Sequence, residues 1–216
     1  MSAKLERVPA KSQAVRLLSV VALALTTVLT SQALEPSSST SGSINGHEWV
    51  DLGLSVKWAS CNVGARNMLD DGNYYAWGET STKSTYTRDN SETNCVEITD
   101  IAGTSRDVAR REWGGTWRLP TKAEMQELVD KCAWGWTELG GGYMVTGPNG
   151  NNIFLPAEGG YAGPSLMQAG SGGLYWSSTP VDGATDCACM LIFTDSSYDV
   201  YWCHRYFGLS VRPVTE

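Results

Sequence analysis

Apolar residues enter this chain as one block and afterwards come in short, broken groups. Leu17 to Leu29 holds no charged residue and follows a stretch carrying Lys4, Arg7, Lys11 and Arg16. A basic lead, an apolar run too short to span a bilayer comfortably, and small residues at Ser31 and Ala33 are the layout of a secretory signal. Residues 1–33 are therefore expected to be removed before Leu34, giving a secreted or cell-surface protein without a membrane span in the mature chain. Residues 34–46, LEPSSSTSGSING, read as a Ser/Gly-rich flexible linker. The folded domain is expected over 47–216.

Within that domain the clearest period is helical. Thr121-Lys122-Ala123-Glu124 is a capping box, and Met125, Leu128, Val129 and Cys132 follow on one apolar face. A weaker helix is predicted from Ser105 to Glu112, stopped by Gly114-Gly115. Short strands are predicted at Glu48–Leu52, Ile153–Leu155 and Leu209–Val214. Asp186–Thr194 and Asp199–Phe207 read as two arms of a hairpin turning at Asp195-Ser196-Ser197-Tyr198. A three-residue loop would set Cys189 opposite Cys203, within reach of a disulfide. A two-residue loop would shift the register by one and put the two thiols on opposite faces.

Composition narrows the class. With 23 Gly and 9 Trp scattered among short segments, the domain suits a loop-rich α+β fold in which large aromatics anchor irregular backbone. Taking four basic residues and one acid with the signal leaves 12 Lys and Arg against 22 Asp and Glu, a net charge near −10. Such a surface repels nucleic acid and anionic membranes, so neither is an expected partner. Six cysteines in an exported chain allow fifteen connectivities, among which sequence does not choose.

The order of motifs carries a resemblance. WVDLGLSVKWASCNVGA (49–65), DDGNYYAWGET (70–80), WGGTWRLPTKAEMQEL (113–128), GPNGNNIFLPAEG (147–159), YWSST (175–179) and RYFGLSVRPV (205–214) together resemble the Fibrobacter succinogenes major paralogous domain family. That family is similar to the C-type-lectin-like fold, in its formylglycine-generating-enzyme-like branch. The resemblance implies that the terminal strands 48–52 and 209–214 pair, that two helices flank the sheet, and that a loop-rich face meets the ligand. It also makes Cys61 and Cys132 scaffold residues, expected to be buried. Trp113, Trp117 and Trp176 read as core anchors, Arg118 as the partner of a buried carboxylate or carbonyl, Asn149-Gly150 as a turn, and Asp70-Asp71 as a solvated turn.

Catalytic and metal chemistry find little support in the residues. The loop and strand motifs with which calcium-dependent lectins hold calcium and sugar are absent from this sequence. Formylglycine-generating relatives use paired thiols, which Cys187 and Cys189 superficially mimic. Residues two apart on a strand sit about 7 Å apart, too far for a relaxed disulfide. Cys187, Cys189, Cys203 and His204 have the ligand types for zinc but no specific zinc spacing. No catalytic residue, metal or cofactor is assigned.

The stretch 185–206, TDCACMLIFTDSSYDVYWCHRY, is the unusual one. Met190, Leu191, Phe193, Val200 and Trp202 look like scaffold. Among them stand Asp186, Cys187, Cys189, Asp195, Ser196, Ser197, Tyr198, Asp199, Tyr201, Cys203 and His204. These are chemically unrelated, yet each has a codon reachable from an asparagine codon by changing adenines. A diversity-generating retroelement produces such a set in C-type-lectin-like proteins. The expected function is ligand binding, as an adhesin or receptor-binding protein, through a variable C-terminal face. The partner would be a protein or glycan on another cell or surface, with a pilus or surface assembly as the setting. A phage receptor-binding or structural surface protein is the alternative, and a formylglycine-generating-type enzyme a third reading. Asp186, Asp195, Asp199, Tyr201 and His204 are expected to be exposed and clustered on one patch.

Overall fold

A computed structural model describes residues 40–138 and 140–216. The expected signal, its cleavage site and the first part of the linker lie outside these residues. The described chain is α+β. In order it forms β1 (Ser41–Ile44), β2 (His47–Val50), β3 (Lys57–Ala59), α1 (Val108–Trp113), α2 (Lys122–Lys131), β4 (Ala133–Thr137) and β5 (Gly142–Thr146). Then come β6 (Asn152–Pro156), β7 (Gly160–Ala162), β8 (Ser165–Met167), β9 (Gly172–Val181), β10 (Ala184–Thr194), β11 (Ser197–His204) and β12 (Val214–Thr215). No described helix is long and apolar enough to cross a membrane.

The linker expectation needs correcting at its C-terminal end. Ser41–Ile44 pairs antiparallel with β2, so the folded part begins before His47. Asn45 and Gly46, with φ of 52° and 83°, make the left-handed two-residue turn that matches strand twist. Gly42 lies opposite Trp49, whose ring occupies the space a Cβ would need. Small residues here make room for an aromatic ring across the ladder, a role that composition alone disguises as flexibility.

The terminal strands share a sheet, but they are not neighbours as expected. Its order is β1-β2-β3-β12, with Val50 opposite Trp58 and Val214 opposite Trp58 on the other side. Gly53, at φ 74°, helps to turn the chain back after β2, so the returning strand takes the edge first. The buried Trp58 then fills the middle of the sheet. Residues 209–213 are not a regular strand. Leu209 and Ser210 make single bridges to Tyr75 and Tyr175 on their way to β12.

Both helices form where expected, with sharper ends. Buried Asp107 caps α1 by accepting from the amides of Ala109 and Arg110. In α2 the Thr121 hydroxyl accepts from the Glu124 amide at 3.2 Å, and Glu124 accepts from the Thr121 amide at 2.7 Å. Glu124 also takes the Arg118 guanidinium bidentately at 2.8 and 2.7 Å. Replacing Thr121 by Ala is expected to lower stability by about 1 kcal/mol, read as a drop in denaturation midpoint at constant m-value. An unchanged midpoint would show the cap to be redundant with the Arg118 pair.

The tryptophan anchors behave as read. Trp117 and Trp176 are buried and donate to the carbonyls of Ile44 at 3.0 Å and Tyr75 at 2.8 Å, while Trp113 stacks on His47 with centroids 3.9 Å apart. Asn149-Gly150 is a turn, with Gly150 at φ 86°. Cys61 and Cys132, expected to be buried, are only half-buried. Cys132 is the C-cap of α2, in extended backbone, and packs only at the margin of the core that buries Met125 and Leu128. Cys61 lies in a turn, its thiol 4.0 Å from the Ala65 carbonyl.

Three further sheets complete the described residues: β4-β5-β6, the two-stranded β7-β8, and β11-β10-β9 with β11 at its edge. Central β10 is covered on both faces. Leu191 and Phe193 face a core that contains Met125 and Leu128 of α2, and Ala188 and Met190 face a core built on Trp77, Trp117 and Trp176. Edge strand β11 leaves part of its surface to solvent, and that asymmetry positions the candidate site.

Candidate functional site

The β10–β11 hairpin has the two-residue loop. Thr194 pairs with Ser197, leaving Asp195 and Ser196 as the turn. Ala188 therefore faces Cys203, Cys189 faces Trp202, and Cys187 faces His204. Cys189 and Cys203 lie on opposite sides of the sheet and cannot bridge. All six cysteines are free thiols.

The eleven predicted site residues divide by position. Asp195, Ser196, Ser197, Tyr198, Asp199 and Tyr201 are exposed, and Asp186 and His204 are partly so. Cys187, Cys189 and Cys203 are buried, so they do not stand on the exposed face as the other eight do, although Cys189 reaches the floor of a cleft and Cys187 meets Asp186 and His204. The first two sit on the covered central strand, and Cys203 packs beside Ala188 and Met190 in the core. One patch is also not what forms. Asp195 and His204 mark opposite ends of an arm roughly 25 Å long at about 3.3 Å per residue. Strand alternation sends Tyr198 and Val200 to one face and Asp199 to the other, while at the open edge of the strand the rings of Tyr201 and Trp202 come together beside one cleft.

Along this edge the aromatics are ordered. Tyr198 stacks on Trp134 of β4 with centroids 4.5 Å apart and planes 10° apart, and meets Tyr143 edge-on at 5.7 Å. Tyr201 and Trp202 are 57% and 47% exposed, and their rings lie 12° from parallel at 5.7 Å. Trp202 was expected as scaffold. On an edge strand it instead reaches a shallow cleft of about 330 Å³, lined by Lys122, Pro180, Val181, Asp182 and Cys189 among others. A second cleft of about 440 Å³ lies at the hairpin tip, between Asp195 and Trp136.

At the far end, Asp186, Cys187 and His204 converge. The Cys187 thiol is 3.6 Å from His204 Nδ1 and 3.5 Å from Asp186 Oδ1, while Asp186 Oδ2 is 3.4 Å from the same His204 nitrogen. Thiol and carboxylate thus meet one ring nitrogen, and no relay runs through both nitrogens as a nucleophile–base–carboxylate triad requires. Burial first, then the neighbouring Asp186 charge, pushes the Cys187 thiol up to about 11. That is the reverse of an activated nucleophile.

Behind this end lies Arg205, a buried residue outside the expected site set. Its Nε donates to the Cys187 carbonyl at 3.0 Å and its Nη1 to the Val96 carbonyl at 2.8 Å. The guanidinium also sits 4.4 Å from the Trp77 ring centre. It ties the loop around Val96 to the hairpin.

No family model matches the chain, and no curated protein or solved structure matches it. Trp202 and Arg205 were hidden in the sequence for one reason: apolar and basic side chains on a hairpin read the same whether they point in or out until the register is known.

Proposed function

We propose that this chain is an exported ligand-binding protein of the adhesin or receptor-binding kind, whose partner seats along edge strand β11. The observation that carries this is the exposed, stacked Tyr201–Trp202 pair beside a cleft on an otherwise well-covered sheet. Exposed aromatics of this size are the usual energetic centre of a binding surface, and their parallel planes suit a sugar face or a partner's apolar side chain. The rigid backing of β10 supports the reading, because little conformational entropy is lost when such a face is covered. Tyr, Ser and Asp along the arm add area and adaptable hydrogen bonding, as in antibody loops. On this reading the fold is C-type-lectin-like, and the exposed members of the 186–204 set are the positions a diversity-generating retroelement varies. The partner is a protein or glycan on another cell or surface.

Protein and glycan arrays probed with the chain are expected to yield a ligand. The Tyr201→Ala/Trp202→Ala double variant should bind that ligand at least about 30-fold more weakly, the equivalent of roughly 2 kcal/mol. Its thermal unfolding should stay near that of the parent, since both rings are half-exposed. Undiminished affinity in the double variant would move the binding face elsewhere.

A further inference from the structure

We propose that Asp186, Cys187 and His204 form a divalent-metal site, suited to Zn²⁺, at the open end of the β10–β11 hairpin. The three donors are a carboxylate, a thiol and an imidazole, the ligand types zinc takes. Among the described residues they are the one group of three such side chains whose donor atoms lie within 4.8 Å of one another.

Their spacing is that of a coordination sphere. With Zn–S of about 2.3 Å and Zn–N and Zn–O of about 2.0–2.2 Å, tetrahedral angles put sulfur about 3.5 Å from either light atom, and nitrogen about 3.4 Å from oxygen. The observed separations are 3.6 Å from sulfur to nitrogen, 3.5 Å from sulfur to Asp186 Oδ1 and 3.4 Å from nitrogen to Asp186 Oδ2, so the carboxylate turns one oxygen toward each partner, and one donor atom from each residue lies within 4.8 Å of the others. Without an ion the three side chains can hydrogen-bond, the thiol donating to Asp186 Oδ1 and the His204 Nδ1–H to Oδ2. A cation at the centre satisfies all three donors, the thiol proton passing to solvent as the Zn–S bond forms. Carboxylate and thiolate together then balance the charge of the ion.

The backbone holds the donors in place. Cys187 and His204 are directly opposed across the ladder, so their side chains share a face. Asp186 would point to the other face of a regular strand. Here β10 is irregular against β9 between Ala184 and Ala188, and such a break re-aims a side chain. The Arg205 amide donates to the Asp186 carbonyl at 2.9 Å. Tyr206 stacks on the His204 ring with centroids 5.2 Å apart, and Phe207 meets it edge-on at 6.1 Å. The side chains of His204 and Asp186 are 42% and 34% exposed. The fourth coordination position therefore faces solvent, open to a water or to a donor from a bound partner.

The test uses the untagged, reduced full chain and Zn²⁺ alone, in competition with a chromogenic chelator. One equivalent should bind and raise the melting temperature. Co²⁺ in place of Zn²⁺ should show tetrahedral visible bands and a thiolate charge-transfer band. His204→Ala, at a half-exposed position that the fold tolerates, should weaken binding by more than the ~10–100-fold that even outer-sphere changes cost. Cys187→Ser should remove the charge-transfer band, and Cys61→Ser and Cys132→Ser should change nothing. Absence of binding to the parent, affinity undiminished in His204→Ala, or a cobalt spectrum without thiolate character would overturn the site.

Discussion

Replacing Arg212 by Ala is expected to cost about 3–5 kcal/mol of unfolding free energy, the size associated with opening a buried hydrogen-bond network and leaving a cavity. Arg212 is 1% exposed and joins the two ends of the domain. Its Nε donates to Asn62 Oδ1 at 2.7 Å, and its Nη1 to the carbonyls of Ala59 at 3.2 Å and Ser60 at 3.4 Å. Alanine would strand these acceptors in the interior, at about 1–3 kcal/mol for each left without a partner, and would leave a cavity. Lysine keeps the charge but cannot fork to several acceptors. Arg212→Lys should therefore recover only part of the loss. Urea unfolding followed by tryptophan fluorescence measures all three proteins, and a loss below 1 kcal/mol for Arg212→Ala would refute the keystone role.

Stability is expected to fall as pH rises from about 5 to 8, and Glu158→Gln should remove much of that slope. Glu158 is 2% exposed and held by Asn62, by Tyr175 at 3.1 Å and by Ser210 at 2.8 Å. Burial pushes its carboxyl from the ordinary 4.5 up to about 8, outweighing the attraction of Arg212, which reaches it only through Asn62. The Tyr175 hydroxyl has one proton for two acceptors, the Pro156 carbonyl at 2.6 Å and Glu158. A proton on Glu158 supplies the missing donor.

The sign follows from linkage. Between 4.5 and about 8 the folded chain holds a proton that the unfolded chain has released. Rising pH therefore favours unfolding, by about 1.4 kcal/mol per pH unit inside the window. This contribution is fully present below 4.5 and lost as pH passes through 8. Gln resembles the protonated acid and does not titrate, so the variant should gain on the parent as pH rises. Parallel stability–pH curves for the two proteins would exclude a protonated Glu158.

Local signals proved legible where one segment determines its own outcome. The Thr121–Glu124 box states where α2 starts, because capping needs only four adjacent residues. The hairpin after Ala184 was readable from alternation and a polar turn. Trp117 and Trp176 were readable as core because rings of that size find room in few other places. Illegible features depended on partners distant in sequence. Ser41–Ile44 is a strand because Trp49 lies over Gly42. The strands β4 and β5 are short and glycine-containing, and although Trp134 and Trp136 alternate with Ala133 and Gly135, it is the pairing of β5 with β4 on one side and β6 on the other that makes them a sheet.

For the candidate site, the sequence determined the chemistry at hand: aromatics, carboxylates, thiols and one histidine on a C-terminal hairpin. Which of them meet was a matter of register. A two-residue loop at Asp195-Ser196 instead of a three-residue one set Cys187 against His204 and separated Cys189 from Cys203. A single residue of slip turns every side chain of a strand to the other face. Polar loop residues fit either turn, so the choice fell to core packing on both sides of β10. That packing buried the thiols and left Tyr201 and Trp202 at the edge, because β11 has a neighbouring strand on one side only.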